Sequence, residues 1–170
     1  MTSLVITGGL VEIEDVKKFL KDVSSISADY GVTAQAVNAD AIAGRCHAEF
    51  AVRKAVESFE RQRNLARDPG MEIMLYLRGR RQIEKALEIG IKPGENRVAF
   101  IIVGDNAAKA RPAVEAVLDE VDPTVVDYSH AKDALLVRLH DITPAEVEIV
   151  GPDRIPQLVQ ERSALLEFEK

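Results

Sequence analysis

Residues Val98 to Val103 read Val-Ala-Phe-Ile-Ile-Val, six apolar residues in a row between Gly94 on one side and Gly104 on the other. A run this short, branched and without polar alternation suits a strand buried on both faces better than a helix, which needs more length and a 3.6-residue repeat. The chain must therefore build the interior of a sheet, and its other elements must cover that sheet. Leu4 to Thr7 is a shorter branched run whose closing Gly8-Gly9 predicts a turn. Val32 to Val37 alternates apolar and polar residues as a half-buried strand does. Ile73 to Leu77 is again a nearly continuous apolar run and predicts another interior strand.

Helical stripes lie between these runs. Val16, Phe19, Leu20 and Val23 recur at three- and four-residue spacing up to a stop at Tyr30-Gly31. A long helix is expected from Asp40 to Arg61, capped by Asn38 or Asp40, whose apolar residues on opposite sides imply either burial on two faces or a bend near Ala51. Ile83, Ala86, Leu87 and Gly90 predict a helix laid on the sheet. Ala107 through Val121 predicts another, whose start is placed at Ala110 or Arg111 by Pro112. In the last third, Ala131 to Leu139 is a short helix, and Thr143-Pro144-Ala145-Glu146 has the spacing of a capping box. Pro152 and Pro156 then bracket the start of a final helix. The expected class is α/β (α+β): a mixed β-sheet flanked by helices, with a helical C-terminus. At 170 residues such a chain buries roughly two thirds of its unfolded surface, so one domain over 1–170 is expected.

Composition excludes several chemistries. The single Cys46 can form no intramolecular disulfide and has no partner thiols for a metal, which fits a cytoplasmic setting. Neither an apolar span of membrane length nor a basic leader is present. His47, His130 and His140 fall in no metal-ligand spacing, and no glycine begins a phosphate loop, so neither cofactor nor metal is expected. Cys46 beside His47 suggests a nucleophile and its base, but neighbouring helix positions point about 100 degrees apart. A small buried thiol is the expectation. Charge is more informative. The total is −6, yet residues 45–85 carry +4 and residues 112–170 carry −8, so one middle segment can present a positive surface if its side chains converge.

Asn64-Leu65-Ala66, Glu72-Ile73-Met74-Leu75, Gly79-Arg80-Arg81-Gln82-Ile83, then Ala86-Leu87 and Gly90 together resemble the small kinase-binding subunit of the KEOPS/EKC complex. Asn38-Ala39-Asp40, His47, Ala51 and Ala55 extend the similarity into the preceding helix, and Glu161-Arg162-Ser163-Ala164-Leu165-Leu166 extends it to the tail. Leu77-Arg78 stands where relatives place small residues before the glycine.

The resemblance implies a noncatalytic subunit. Its complex installs threonylcarbamoyladenosine beside the anticodon of tRNAs that read codons beginning with A. The subunit binds and stimulates a small atypical protein kinase/ATPase, meets the other KEOPS subunits through it, and helps hold tRNA by the 3′ CCA end. On that basis Arg78, Arg80, Arg81 and Lys85 are expected to face phosphates, flanked by Arg53, Arg61, Arg63 and Asn64. The kinase is expected on the last helix, at Leu158, Val159, Arg162, Leu165 and Leu166, with Leu165 and Leu166 partly internal and Leu158 and Arg162 turned outward. The alternative is a small-molecule-binding domain or enzyme with a pocket near Gly79 and Gly104. A third reading, a pure scaffold, keeps the kinase contact and loses the RNA.

Overall fold

The structure, a computed structural model, describes residues 3–169. The chain forms two compact units: one holds the residues up to Ala39 together with Gly90–Val126, the other holds Asp40–Ile89 and the residues from Asp127 onward.

The first unit is the sheet. Strands β1 (Leu4–Ile13), β2 (Thr33–Asn38), β3 (Gly94–Val103) and β4 (Glu120–Val121) lie in the order β2-β3-β1-β4. All pairings are antiparallel, so the sheet is not mixed in direction, while the expected α/β class stands. The apolar run 98–103 forms the second part of β3, a strand paired on both sides. Helix α1 (Val16–Tyr30) starts at Asp15, whose side chain accepts from the Lys18 N–H, and stops at Gly31 in the left-handed region (φ 64). Phe19 and Val23 of α1, with Ala107, Ala110 and Val114 of α5 (Ala107–Glu115), pack on the sheet face formed by Val11, Ile13, Ala36, Val98, Phe100 and Ile102.

Three expectations fail here. Gly8-Gly9 is not a turn: β1 runs straight through it for ten residues. A Cβ on Gly8 would lie 2.3 Å from the Val98 carbonyl oxygen, and one on Gly9 would lie 2.0 Å from that of Glu120, so the pair permits close approach of neighbouring chain. Likewise α5 does not reach Val121. It ends at Glu115, after which the Asp119 N–H donates to the Leu10 carbonyl (2.9 Å) and residues 120–121 join β1 as β4. Nor does Pro112 set its start: α5 begins at Ala107 and keeps Pro112 inside, leaving only the carbonyl of exposed Ala108 without its helical donor.

The second unit is helical. Ala39–Ala41 makes one 3-10 turn, and neither Asn38 nor Asp40 caps the long helix. Gly44, at φ 89, interrupts the chain, and α2 runs Arg45–Glu60. The unit continues through α3 (Pro69–Arg78), α4 (Ile83–Leu87), α6 (Asp133–Leu139), α7 (Pro144–Val150) and α8 (Ile155–Glu169). Cys46 is exposed, contrary to expectation, because the buried side of α2 passes through His47, Ala48, Ala51, Val52, Ala55 and Ser58.

The largest correction concerns Ile73–Leu77, which is the middle of α3. Asp68 accepts the Met71 N–H, Pro69 opens the first turn, and Gly79 closes the helix at φ 68. All residues from Glu72 to Arg78 are buried, so the helix is covered on every side and its sequence loses the polar stripe that marks a helix. Helix α4 shows the reverse: Ala86 is buried, while Ile83 and Leu87 are exposed.

Candidate nucleic-acid interface

The turn after α3 positions the basic residues. Gly79 takes its left-handed conformation where a Cβ would lie 3.2 Å from the backbone of Arg162, so α3 ends against α8. Arg80 follows this tight exit, Lys85 lies in α4, and Arg138 comes from α6. Arg78, Arg80, Lys85 and Arg138, with Glu88, Leu139 and Asp141, line an open cleft of about 410 Å³. Four cations face two carboxylates, so the cleft is positive in a chain whose total charge is −6.

The side chains are unequal. Arg78 is 5% exposed; its guanidinium donates to the Leu139 carbonyl and to Glu88 Oε2 (3.0 Å). That bond holds the Glu88 carboxyl below its usual range. Arg78 therefore builds the wall of the cleft instead of reaching out of it. Arg80 pairs with Asp141 (2.6 Å) and Lys85 with Glu88 (3.3 Å), both near the surface. Arg81 does not line the cleft; it is exposed and donates to the Glu169 carbonyl (3.0 Å).

The expected flanks lie elsewhere. Arg53 sits over the Phe50 ring, 5.2 Å from its centroid, and Arg61 and Arg63 border a narrow crevice with Ser58 and Glu167. Asn64 donates to the Ala66 carbonyl (2.8 Å) and braces its own loop. Arg138 was not among the expected residues. Its only sequence signal is a positive charge in an otherwise acidic third of the chain.

Beneath this surface the polar core is closely bonded. Glu72, fully buried, accepts from Ser58 Oγ (2.9 Å), the Leu65 N–H (2.9 Å) and the Ala66 N–H (2.8 Å), which shapes the 64–66 loop. His47 is a structural residue: its Nδ1 accepts from the Ala43 N–H (3.0 Å), and its Nε2–H donates to the Leu77 carbonyl (3.1 Å). Burial pulls it down to about 4. The His140 ring lies edge-on to it, 6.2 Å between centroids. Among the described residues neither His140 nitrogen has a hydrogen-bond partner, and burial, with His47 next, lowers it to about 3.

The final helix departs from the expected division of its residues at Leu158, Arg162 and Leu165 and keeps it at Leu166, which is internal. Leu158, Val159 and Leu166 are buried, the first two against Ala43, Leu136, Ile142 and Ile155, whereas Leu165 is 47% exposed and Phe168 86% exposed. Ser163, between them, donates to the Tyr76 carbonyl and ties the helix to α3. Arg162 faces inward as well. It grips Glu146 with two bonds of 2.8 Å and donates to the His140 carbonyl (3.1 Å). Those bonds lower Glu146 to about 2, and the expected capping box at Thr143 is present on the same carboxylate. Among the described residues no group of three or more His, Cys, Asp and Glu is placed to hold a metal, and no helix is long and apolar enough to cross a membrane.

Comparison with known proteins places the chain beside one family and two relatives in particular. The family model for kinase binding protein CGI-121 matches residues 6–155. A regulatory protein Cgi121 from Methanocaldococcus jannaschii is 26% identical over 141 residues, 82% of this chain and 87% of the relative. A KEOPS complex subunit Cgi121 from Pyrococcus abyssi is 32% identical over 82 residues, 46% of this chain and 48% of the relative.

Proposed function

The chain belongs to the CGI-121 kinase binding protein family, and from that premise we propose that it is a noncatalytic KEOPS subunit in threonylcarbamoyladenosine modification of tRNA. In this reading it binds and stimulates the small atypical kinase/ATPase, meets the other subunits through that kinase, and helps recruit tRNA by its 3′ CCA end. It works in the cytoplasm as one domain, without a cofactor. The observation that carries the proposal is the cleft that joins Arg80, Lys85 and Arg138 on one surface. A phosphodiester chain suits such a cleft because each phosphate bound there releases condensed counterions. Arg78 serves as its wall; Arg81, Arg53, Arg61, Arg63 and Asn64 act as peripheral contacts. The kinase meets the outward side of α8 at Leu165 and Phe168, which Leu158, Val159, Arg162 and Leu166 support from within.

Co-purification tests both surfaces. The pair Arg80→Glu and Lys85→Glu is expected to weaken tRNA retention at least tenfold at low salt while kinase binding persists, because it reverses two of four cations in the cleft. Leu165→Asp with Phe168→Asp is expected to release the kinase from a chain that still melts cooperatively. Unchanged tRNA retention would remove the cleft from the reading, and unchanged kinase binding would move that interface off α8.

A further inference from the structure

Arg80 does not offer a bare guanidinium to the cleft. Its Nη2 donates to Asp141 Oδ2 at 2.6 Å, and the Asp141 side chain is 78% exposed. Asp141 is fixed there by the backbone. It follows the end of α6 in the left-handed region (φ 50), its carbonyl accepts from Arg162 at 3.4 Å, and the next residue, Ile142, donates its N–H to the Val137 carbonyl at 3.1 Å. On the other side, Glu88 accepts from Arg78 with one oxygen and pairs with Lys85 through the second. Among the described residues, only Arg138 of the four cleft cations has no carboxylate within ion-pair distance.

We infer that Asp141 and Glu88 are specificity-determining residues of the cleft, resident competitors that a phosphate must displace from Arg80 and Lys85. The inference rests on the proposal that the cleft receives tRNA phosphates, and adds which anions it refuses. A lone anion trades one weak, solvent-screened ion pair for another and gains little. A phosphodiester chain starts from Arg138, which needs no displacement, and its next phosphates then compete at Arg80 and Lys85 at the high effective concentration of a tethered group. The carboxylates thus act against free phosphate more than against a polymer, which is discrimination by a repulsive element. They also cost affinity, since each cancels one of four positive charges.

The test uses the full chain, with tRNA binding measured over a salt series and inorganic phosphate as competitor. Asp141→Asn removes the charge and keeps a residue that tolerates the left-handed backbone; Glu88→Gln is the second variant. Each is expected to bind tRNA about fivefold more tightly at low salt. The log–log salt slope should steepen by about 0.7 for each further phosphate that the freed cation neutralises. Inorganic phosphate should compete at concentrations that leave the parent chain unaffected. Arg138→Ser separates the two ideas. If it weakens tRNA binding while both carboxylate variants bind no more tightly than the parent, the cleft stands and the selector inference is overturned. If Arg138→Ser changes nothing, the cleft reading falls and takes the inference with it.

Discussion

Replacing Glu72 by alanine is expected to lower stability by about 4 kcal/mol, seen as a loss of roughly 10 °C in the melting temperature. The carboxylate is fully buried between α2 and α3, and three donors converge on it: Ser58 Oγ and the N–H groups of Leu65 and Ala66. Hydrogen bonds to a charged acceptor are among the stronger ones, and deleting the acceptor strands buried donors that water does not reach. Glu72→Gln should be nearly as damaging, because its amide nitrogen turns a donor toward donors. A melt within about 1 kcal/mol of the parent would mean that the 64–66 loop is held by something other than this carboxylate.

The second large effect is acid lability. Both His47 and His140 have a folded pKa below the ordinary 6.5, down to about 4 and about 3, with burial the main cause for each. The unfolded chain therefore binds more protons than the folded one from pH 6.5 downward. Their contribution is fully present above the unfolded value and is lost as pH falls toward the folded values. With both groups active, stability should drop by up to about 2.7 kcal/mol per pH unit between pH 6.5 and 4. At His47 the hydrogen bond to the Leu77 carbonyl works against the shift without cancelling it, while nearby cations reinforce the sign at both rings. Lys132 disfavours a charged His47; Arg78, Arg80 and Arg162 disfavour a charged His140. Because neither ring nitrogen of His140 has a hydrogen-bond partner among the described residues, His140→Phe should roughly halve the slope and raise stability at pH 5. A melting temperature flat from pH 7 to 4 would contradict the burial of both rings as neutral imidazoles.

Legibility in the sequence followed the environment of each element. Where turn chemistry is explicit, as at Gly31 and the Thr143 capping box, residue pattern and structure agree, and the α1 stripe is buried at Phe19 and Val23 while its expected member Leu20 is exposed. The continuous apolar run gave β3 correctly and α3 incorrectly from the same signal. A helix covered on all sides and an interior strand both erase polar periodicity, and only the Asp68-Pro69 start and the Gly79 stop distinguish α3. Gly8-Gly9 misled because glycine that permits close packing of chains looks in sequence like glycine that turns. For the candidate site, the local charge surplus pointed to the segment 45–85, and the family resemblance named Arg80 and Lys85 within it. Convergence is a tertiary property, so Arg138 was invisible, as was the diversion of Arg78 and Arg162 into internal bonds. On α8 an apolar residue every three or four positions showed that one face would be buried, without showing which; Ser163 bonding to Tyr76 fixes the rotation that leaves Leu165 outside.

The central claim is that tRNA lies in the cleft of the helical unit. The most direct measurement is photo-crosslinking from the 3′ end of tRNA to the chain assembled with its kinase, followed by peptide mapping. The crosslinks should fall in the segments 78–88 and 138–141 and disappear in the Arg80→Glu, Lys85→Glu variant. Crosslinks confined to the sheet unit, or undiminished in that variant, would contradict the account.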